Sequence, residues 1–225
     1  MNTIVAETGI VRMPMSLATL DEFRGWMHSD AVSEDMRAYF LDGEVWIDMS
    51  KEQLFSHNQV KFALTIALGG LATSREIGRY VPDGMLISNV EANLSAQPDG
   101  AYVSFDSLRD GKVAFVAGAK EGVVELEGSP DVVIEVVSDS SVEKDTKTLP
   151  NLYFRAGVLE YWLIDARGEP LSFQIFRRGE NKFQSAPQRN GWLTSNVFGL
   201  EFRLICRRDP IGQPEFVLES REVQS

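Results

Sequence analysis

One glutamate inside an otherwise apolar strand sequence constrains this chain most. Residues Asp131-Val132-Val133-Ile134-Glu135-Val136-Val137 form a run too dense in β-branched side chains for a half-exposed strand. The run predicts a central strand over 131–137, buried on both faces. An ionised carboxylate there is costly unless a cation or hydrogen-bond donors compensate it. Alternation places Val133, Glu135 and Val137 on one face, so Glu135 points into a packed layer or a cleft beside it. Its bland role would be a buried ion pair, for example with Arg155 or Lys147.

A second carboxylate, Asp99, stands upstream in Gln97-Pro98-Asp99-Gly100. Taken alone it reads as a turn aspartate. Beside Glu135 it could complete a metal site. Lys144 and Lys147 follow the glutamate strand, in the first turns of a predicted helix. Two acidic ligands with a nearby lysine are the minimal kit for metal-dependent phosphodiester hydrolysis. A lysine near a scissile phosphate orients water and stabilises developing negative charge; the ordinary fate of lysine is a solvated helix face. Glu44 could add a carboxylate, or be an exposed hairpin residue. His57 could be a supporting donor or a phosphate contact, or a hydrogen-bonded core histidine.

The surrounding elements follow from local signals. Residues 1–15 read as a loose or strand-like arm. Thr19 is a plausible N-cap for a short helix with an apolar stripe of Leu20, Phe23, Trp26 and Met27. Asp42-Gly43 between two apolar-aromatic runs predicts a hairpin. Residues 52 to about 72 form the longest helix candidate, with His57 on the stripe of Val60, Leu64 and Leu68. Strands are predicted at 79–88 and 101–105, and a hairpin at 113–116 and 122–127. Ser140 and Glu143 have capping-box spacing for a helix beginning near Ser141, which Pro150 should kink or split. Residues 160–165 are a further strand. Late alternation over 171–177, 182–185, 192–198 and 201–206 predicts antiparallel strands at a sheet edge or in a small second sheet. The last ten residues are expected to fray. The division expected is an arm at 1–16, a main domain at 17–207 and a tail at 208–225.

Bulk properties exclude several classes. Among 225 residues there is one cysteine, Cys206, and two histidines, His28 and His57. No internal disulfide or Cys-based metal cluster can form, and a His-rich zinc site lacks ligands. A reducing, cytoplasmic setting is expected. No secretory signal is evident at the start, and no apolar run is long enough for a membrane span. No P-loop, dinucleotide fingerprint or nucleophile elbow appears. The formal net charge of −11 argues against a broad nucleic-acid-binding surface, though a local basic groove is compatible with it.

Several segments together resemble a known family. They are Phe40-Leu41-Asp42-Gly43-Glu44, then Ser56-His57-Asn58-Gln59, then Pro98-Asp99, then Pro130-Asp131 through Ser138, and finally Tyr153 through Asp165, which includes Ala156-Gly157-Val158-Leu159-Glu160-Tyr161-Trp162. Over about residues 17 to 205 the chain resembles the Uma-two family, a branch of the PD-(D/E)xK nuclease superfamily. The resemblance implies an α/β (α+β) fold: a restriction-endonuclease-like mixed β-sheet core flanked by helices, with additional antiparallel strands, and an acidic site at one sheet edge. It implies that Asp99 and Glu135 bind Mg²⁺ or Mn²⁺, with the main-chain carbonyl of Val136 as third ligand. Glu44 would match the family's helix-proximal glutamate, and His57 its histidine element. DNA is the implied partner, with weak nonspecific affinity; a homodimer would make double-strand cutting geometrically simple. The usual motif places a lysine two residues after the glutamate, where this chain has Val137. The family's substitute position is Leu149 here, so Lys144 or Lys147 must reach the site instead. Without that reach, the fold would survive as a non-catalytic binding or regulatory module.

Overall fold

A computed structural model describes residues 2–6, 9–14, 16–33, 35–118 and 122–223. The chain opens with the antiparallel strands β1 (Asn2–Ala6) and β2 (Gly9–Met13), within the segment expected to be an arm. Helix α1 (Leu20–Met27) follows, closed by a capping box in which Thr19 accepts from the Glu22 N–H and Glu22 accepts from the Thr19 N–H. The Asp42-Gly43 turn joins β3 (Arg37–Leu41) to β4 (Glu44–Asp48); both turn residues have positive φ, as the sequence requires of them. A π-helical turn (Leu54–Gln59) leads into α2 (Val60–Ser74), which runs straight through Gly69-Gly70.

Next come β5 (Gly78–Pro82), β6 (Leu86–Asn89), β7 (Leu94–Ala96), β8 (Gly100–Ser104), α3 (Phe105–Arg109), β9 (Val113–Ala117) and β10 (Val123–Gly128). The single strand expected over 79–88 is therefore two strands in different sheets. The break falls at Asp83-Gly84, where Gly84 has φ +95 and turns the chain. The glutamate strand is β11 (Val132–Val136). A second π-helical turn (Lys144–Thr148) passes into α4 (Leu149–Arg155); Pro150 at the junction cannot donate to the preceding turn, and the Asp145 carbonyl there accepts from the Tyr161 hydroxyl at 2.8 Å instead. The helical segment begins at Val142, close to the expected start, but Ser141 rather than Ser140 holds the entry: its hydroxyl accepts from the Ser138 N–H and donates to Asp145. The chain ends through β12 (Glu160–Asp165), β13 (Ser172–Arg178), β14 (Phe183–Ser185), β15 (Gln188–Arg189), β16 (Trp192–Ser195), β17 (Leu200–Arg208) and β18 (Pro214–Glu222). The expected fraying of the last ten residues is corrected over 216–222, where β18 pairs with β17 in an unbroken antiparallel register. Charged side chains in this stretch hid the pairing: Glu219 and Glu201 hold Arg203 and Arg221 across the two strands.

The core sheet has the order β14-β13-β12-β11-β8-β5 and is mixed. Strands β11 and β12 run parallel and need a crossover, which the second π-turn and α4 supply. The other neighbours pair antiparallel. A second six-stranded sheet, β4-β3-β7-β6-β10-β9, packs with α4 against one face of the core sheet, and the four-stranded sheet β15-β16-β17-β18 covers the other face with α2. The alternation of β11 sorts its residues between two apolar layers. Val132, Ile134 and Val136 join α2, Trp162 and Phe202; Val133 joins Leu149, Leu152, Tyr153 and Tyr161.

Glu160 fastens the core sheet to the four-stranded sheet. It is fully buried at the start of β12 and accepts from Trp162 Nε1 (3.0 Å), Ser195 Oγ (2.7 Å) and the main-chain N–H groups of Asn196 (2.6 Å) and Val197 (3.2 Å). A buried carboxylate so fully matched is tolerable; its donors left alone are not. Glu160→Ala should cost about 3 kcal/mol in urea unfolding, and Glu160→Gln, which keeps an acceptor oxygen, about 1 kcal/mol.

Candidate metal centre

The register of the core sheet brings Asp99 and Glu135 together. Ile134 pairs with Gly100, so Asp99 stands just before β8 and beside the end of β11. The Val136 N–H donates to Asp99 Oδ2 at 2.7 Å. The N–H and C=O of one strand residue point to the same side, so the Val136 carbonyl faces the Asp99 side as well. Both carboxylates line one small cavity of about 20 Å³, with Val136, His57, Lys144 and Asp145 also in its wall. That volume suits a water or a single ion. The site lies at the ends of two interior strands, not along a lateral edge of the sheet, since the edges are β14 and β5.

Each acid has its own partners. Glu135 is 2% exposed; its Oε1 accepts from the Tyr153 hydroxyl at 2.9 Å, and its Oε2 lies 3.9 Å from Lys144 Nζ. Burial pushes the Glu135 pKa well above the glutamate range, and the charges of Asp145 and Asp99 add to this against the opposing pull of Lys144 and Tyr153. Burial acts the same way on Asp99, but His57, Lys61 and the Val136 N–H outweigh it and hold Asp99 below the ordinary aspartate value. His57 Nε2 is 3.4 Å from Asp99 Oδ2, and Lys61 Nζ is 3.7 Å from Oδ1. The site thus contains one acid biased toward ionisation and one biased against it.

Of the two candidate lysines, the structure brings in only Lys144. It is buried, 2.8 Å from Asp145 Oδ1, and its ammonium lies 4.4 Å from the centre of the Tyr39 ring. Burial alone would lower its pKa; Glu135, Tyr39 and Asp145 raise it instead and keep the ammonium charged. Lys147 is turned to solvent and pairs with Glu143 at 3.7 Å. The cause is the π-helical turn, in which the Leu149 N–H bonds five residues back to the Lys144 carbonyl. The wider turn separates two lysines that an α-helix would stack on one face. Leu149, at the expected lysine position, is a fully buried core residue.

Glu44 is likewise not brought to the site. It is exposed, accepts from Trp46 Nε1 at 3.3 Å, and stands at the turn end of β4. Asp48, four residues further along the same face and so about 13 Å away, is the β4 carboxylate that lines the cavity. Arg155 pairs with Asp42 rather than with Glu135. Asp145 is a buried third carboxylate that sequence reasoning missed. Its only signal was the Glu143-Lys144-Asp145 alternation, which equally suits a solvated helix. Also missed were Tyr153 as donor to Glu135, and Lys61, which bridges Glu52 (2.5 Å) and Asp83 (2.7 Å) behind Asp99.

The donor chemistry fits a hard divalent cation. Asp48, Glu52, Asp99, Glu135 and Asp145 line the cavity against the permanent cations Arg37, Lys51 and Lys144. With all five acids ionised the lining would be short by two positive charges, with Lys61 behind it already offset by Asp83; burial opposes that full charge at Glu135 and Asp145. Among the described residues, no three His, Cys, Asp or Glu side chains form a ready ligand shell. An ion here would draw on two carboxylates, a main-chain carbonyl and water, as Mg²⁺ commonly does.

A mixed sheet whose interior strand ends present a buried aspartate, glutamate and lysine defines a restriction-endonuclease-like domain. The chain belongs to the Uma2 family, whose model, described as "Putative restriction endonuclease", matches residues 20–205. No curated protein matches at a significant level. Among solved structures, the chain is similar to one described as a putative nuclease belonging to DUF820 from Anabaena variabilis. The TM-score is 0.60 at 14% identity, over 80% of this chain and 90% of that one, so the likeness bears on fold alone. No described helix is long and apolar enough to cross a membrane.

The raised Glu135 pKa has a consequence for the apoprotein. Below its unfolded pKa near 4.5 the group is neutral in both states and costs nothing. As pH rises toward the folded value, ionisation favours unfolding and stability is lost. Glu135→Gln should therefore gain melting temperature over wild type as pH rises from 4.5, with no gain below it. Thermal melts without metal across this range check the sign.

Proposed function

We propose that the chain is a divalent-metal-dependent nuclease that hydrolyses DNA phosphodiester bonds. One observation supports this above the others: Asp99 and Glu135, far apart in sequence, line the same cavity with the buried ammonium of Lys144 beside them. Asp99 and Glu135 would hold Mg²⁺ or Mn²⁺, with the Val136 carbonyl as third ligand. When bound, the ion supplies Lewis acidity to the phosphoryl group and to the attacking water. Family membership adds to this reading, because the family is described in terms of endonucleases.

The chain's own groups take distinct roles. Lys144 presents a fixed positive charge to the phosphoryl oxygens and orients water by hydrogen bonding. Asp145 and Tyr39 hold that ammonium in place and charged. Tyr153 fixes the Glu135 carboxylate by donating to Oε1, which leaves Oε2 for the site. His57 and Lys61 keep Asp99 ionised. Glu44 and Lys147 take no part in this reading.

A second reading is a nuclease-fold binding or regulatory module without cleavage. The observation favouring it is the engagement of Lys144 with Asp145 at 2.8 Å, which leaves less of its ammonium for substrate. Mn²⁺-dependent cutting of plasmid and single-stranded DNA separates the two. We expect Asp99→Ala and Glu135→Ala to lose both cutting and the Mn²⁺-induced rise in melting temperature. Lys144→Gln should keep the thermal shift and lose about 100-fold or more in rate. Wild-type protein with neither cutting nor thermal shift would select the second reading.

A further inference from the structure

The ion-sized cavity opens beside a much larger one. A pocket of about 600 Å³ shares Ser50, Lys51, Glu52, His57 and Ser138 with the metal cavity and extends to Ser140 and Arg167. Its volume falls in the range of about 300–1,000 Å³ typical of small-ligand sites. A scissile phosphate brought to Asp99 and Glu135 would lie alongside this space, because the two cavities share those five wall residues.

The lining has the chemistry of a phosphate-bearing ligand. Ser50, Ser56, Ser138 and Ser140 supply hydroxyls, and Ser138 Oγ lies 3.1 Å from Ser140 Oγ. Arg167 is held by Asp165 at 2.8 Å and Asp139 at 3.1 Å, so its planar fork is oriented but largely neutralised. Among the described residues, Lys51 makes no ion pair, and its ammonium is the uncompensated charge of the wall. His57 supplies an independent sign of a ligand. It is 5% exposed, lies in the wall of both cavities, and its Nδ1 makes no hydrogen bond among the described residues, with Glu52 Oε1 facing it at 3.8 Å. A buried ring nitrogen without a hydrogen bond has one to give to or take from a ligand. Leu54, 57% exposed in the same wall, offers an apolar surface to a base.

We infer that this pocket seats one nucleotide of an unpaired DNA strand, next to the phosphodiester held at the metal centre. The inference rests on the nuclease reading above and names its substrate class. A duplex displays dense phosphate charge on a broad convex surface and is bound through many Lys and Arg contacts. This chain carries a net charge of −11, and among the described residues this half-open pocket offers one cation without an ion pair, Lys51. An unpaired strand can turn a single nucleotide inward, and a short basic groove is enough to hold it.

The test uses the 225-residue chain, a short labelled oligo(dT), and a blunt hairpin duplex closed by a non-nucleotide linker, so that it holds no unpaired base. Binding is read by fluorescence anisotropy with Ca²⁺, and cleavage with Mn²⁺. Lys51→Met removes the free cation, and Ser140→Trp fills the pocket from its exposed rim. We expect the single strand to be cut at least about tenfold faster than the hairpin. Lys51→Met should raise KM about tenfold, and Ser140→Trp, outside the metal cavity, should abolish strand binding while retaining the wild-type Mn²⁺ thermal shift. Strand affinity should fall with salt at a log–log slope of about −1.4 or shallower, the value for two or fewer phosphate contacts. Equal cutting of hairpin and strand, or no effect of either variant, would overturn the pocket assignment and leave the nuclease reading standing. Pocket-dependent strand binding without cleavage by wild type would do the reverse. Failure of wild-type protein to bind the strand at all would overturn the inference directly.

Discussion

The site depends on one carboxylate held in the wrong place for a carboxylate. Glu135 sits between two apolar layers of the core sheet, where burial disfavours its charge. Lys144 and the Tyr153 hydroxyl offset part of that penalty, while Asp99 and Asp145 add to it. A cluster of this kind is stable only if it is partly protonated or if further positive charge enters. The chain supplies Lys144 from the crossover between β11 and β12. The remaining deficit is what a divalent ion would fill. Stability of the apoprotein and affinity for the ion are therefore opposed at the same residue, a trade familiar at functional sites.

The backbone sets this up with few special devices. The hydrogen bond from the Val136 N–H to Asp99 Oδ2 ties the entrance of β8 to the exit of β11. It replaces the ladder bond that β8, starting only at Gly100, cannot make. Gly100 leaves room on the other side for the Tyr80 ring of β5, whose hydroxyl a Cβ there would meet. The π-helical turn at Lys144–Thr148 then aims Lys144 and Asp145 inward together and leaves Lys147 outside. Such turns break helical regularity and are frequent at functional sites.

Much of this was legible in the sequence because strand alternation is strict. The buried strand, the inward Glu135 and the stripe position of His57 follow from period and composition, whereas Asp99 by itself reads as a turn residue and its pairing with Glu135 is what the family resemblance implies. Helical geometry was less readable. Lys144 and Lys147 are equivalent on an α-helix and become unlike only through the wide turn, which no local residue pattern announced. Glu44 and Asp48 share a face of β4, but only the strand's placement in the second sheet decides which end nears the site. The terminal strand β18 was hidden because its cross-strand charges look like those of a solvated tail. Asp145 looked like surface for the same reason. Each miss is a tertiary contact overriding a local signal.

The central claim is that Asp99, Glu135 and the Val136 carbonyl form one ion site. Anomalous diffraction from crystals soaked in Mn²⁺ addresses it most directly. The account predicts a single strong peak in the cavity at the ends of β8 and β11, within about 2.0–2.3 Å of an oxygen from each of the three. A peak bound instead by Asp48 and Glu52, or a fully soaked crystal with no peak in the cavity, would contradict it.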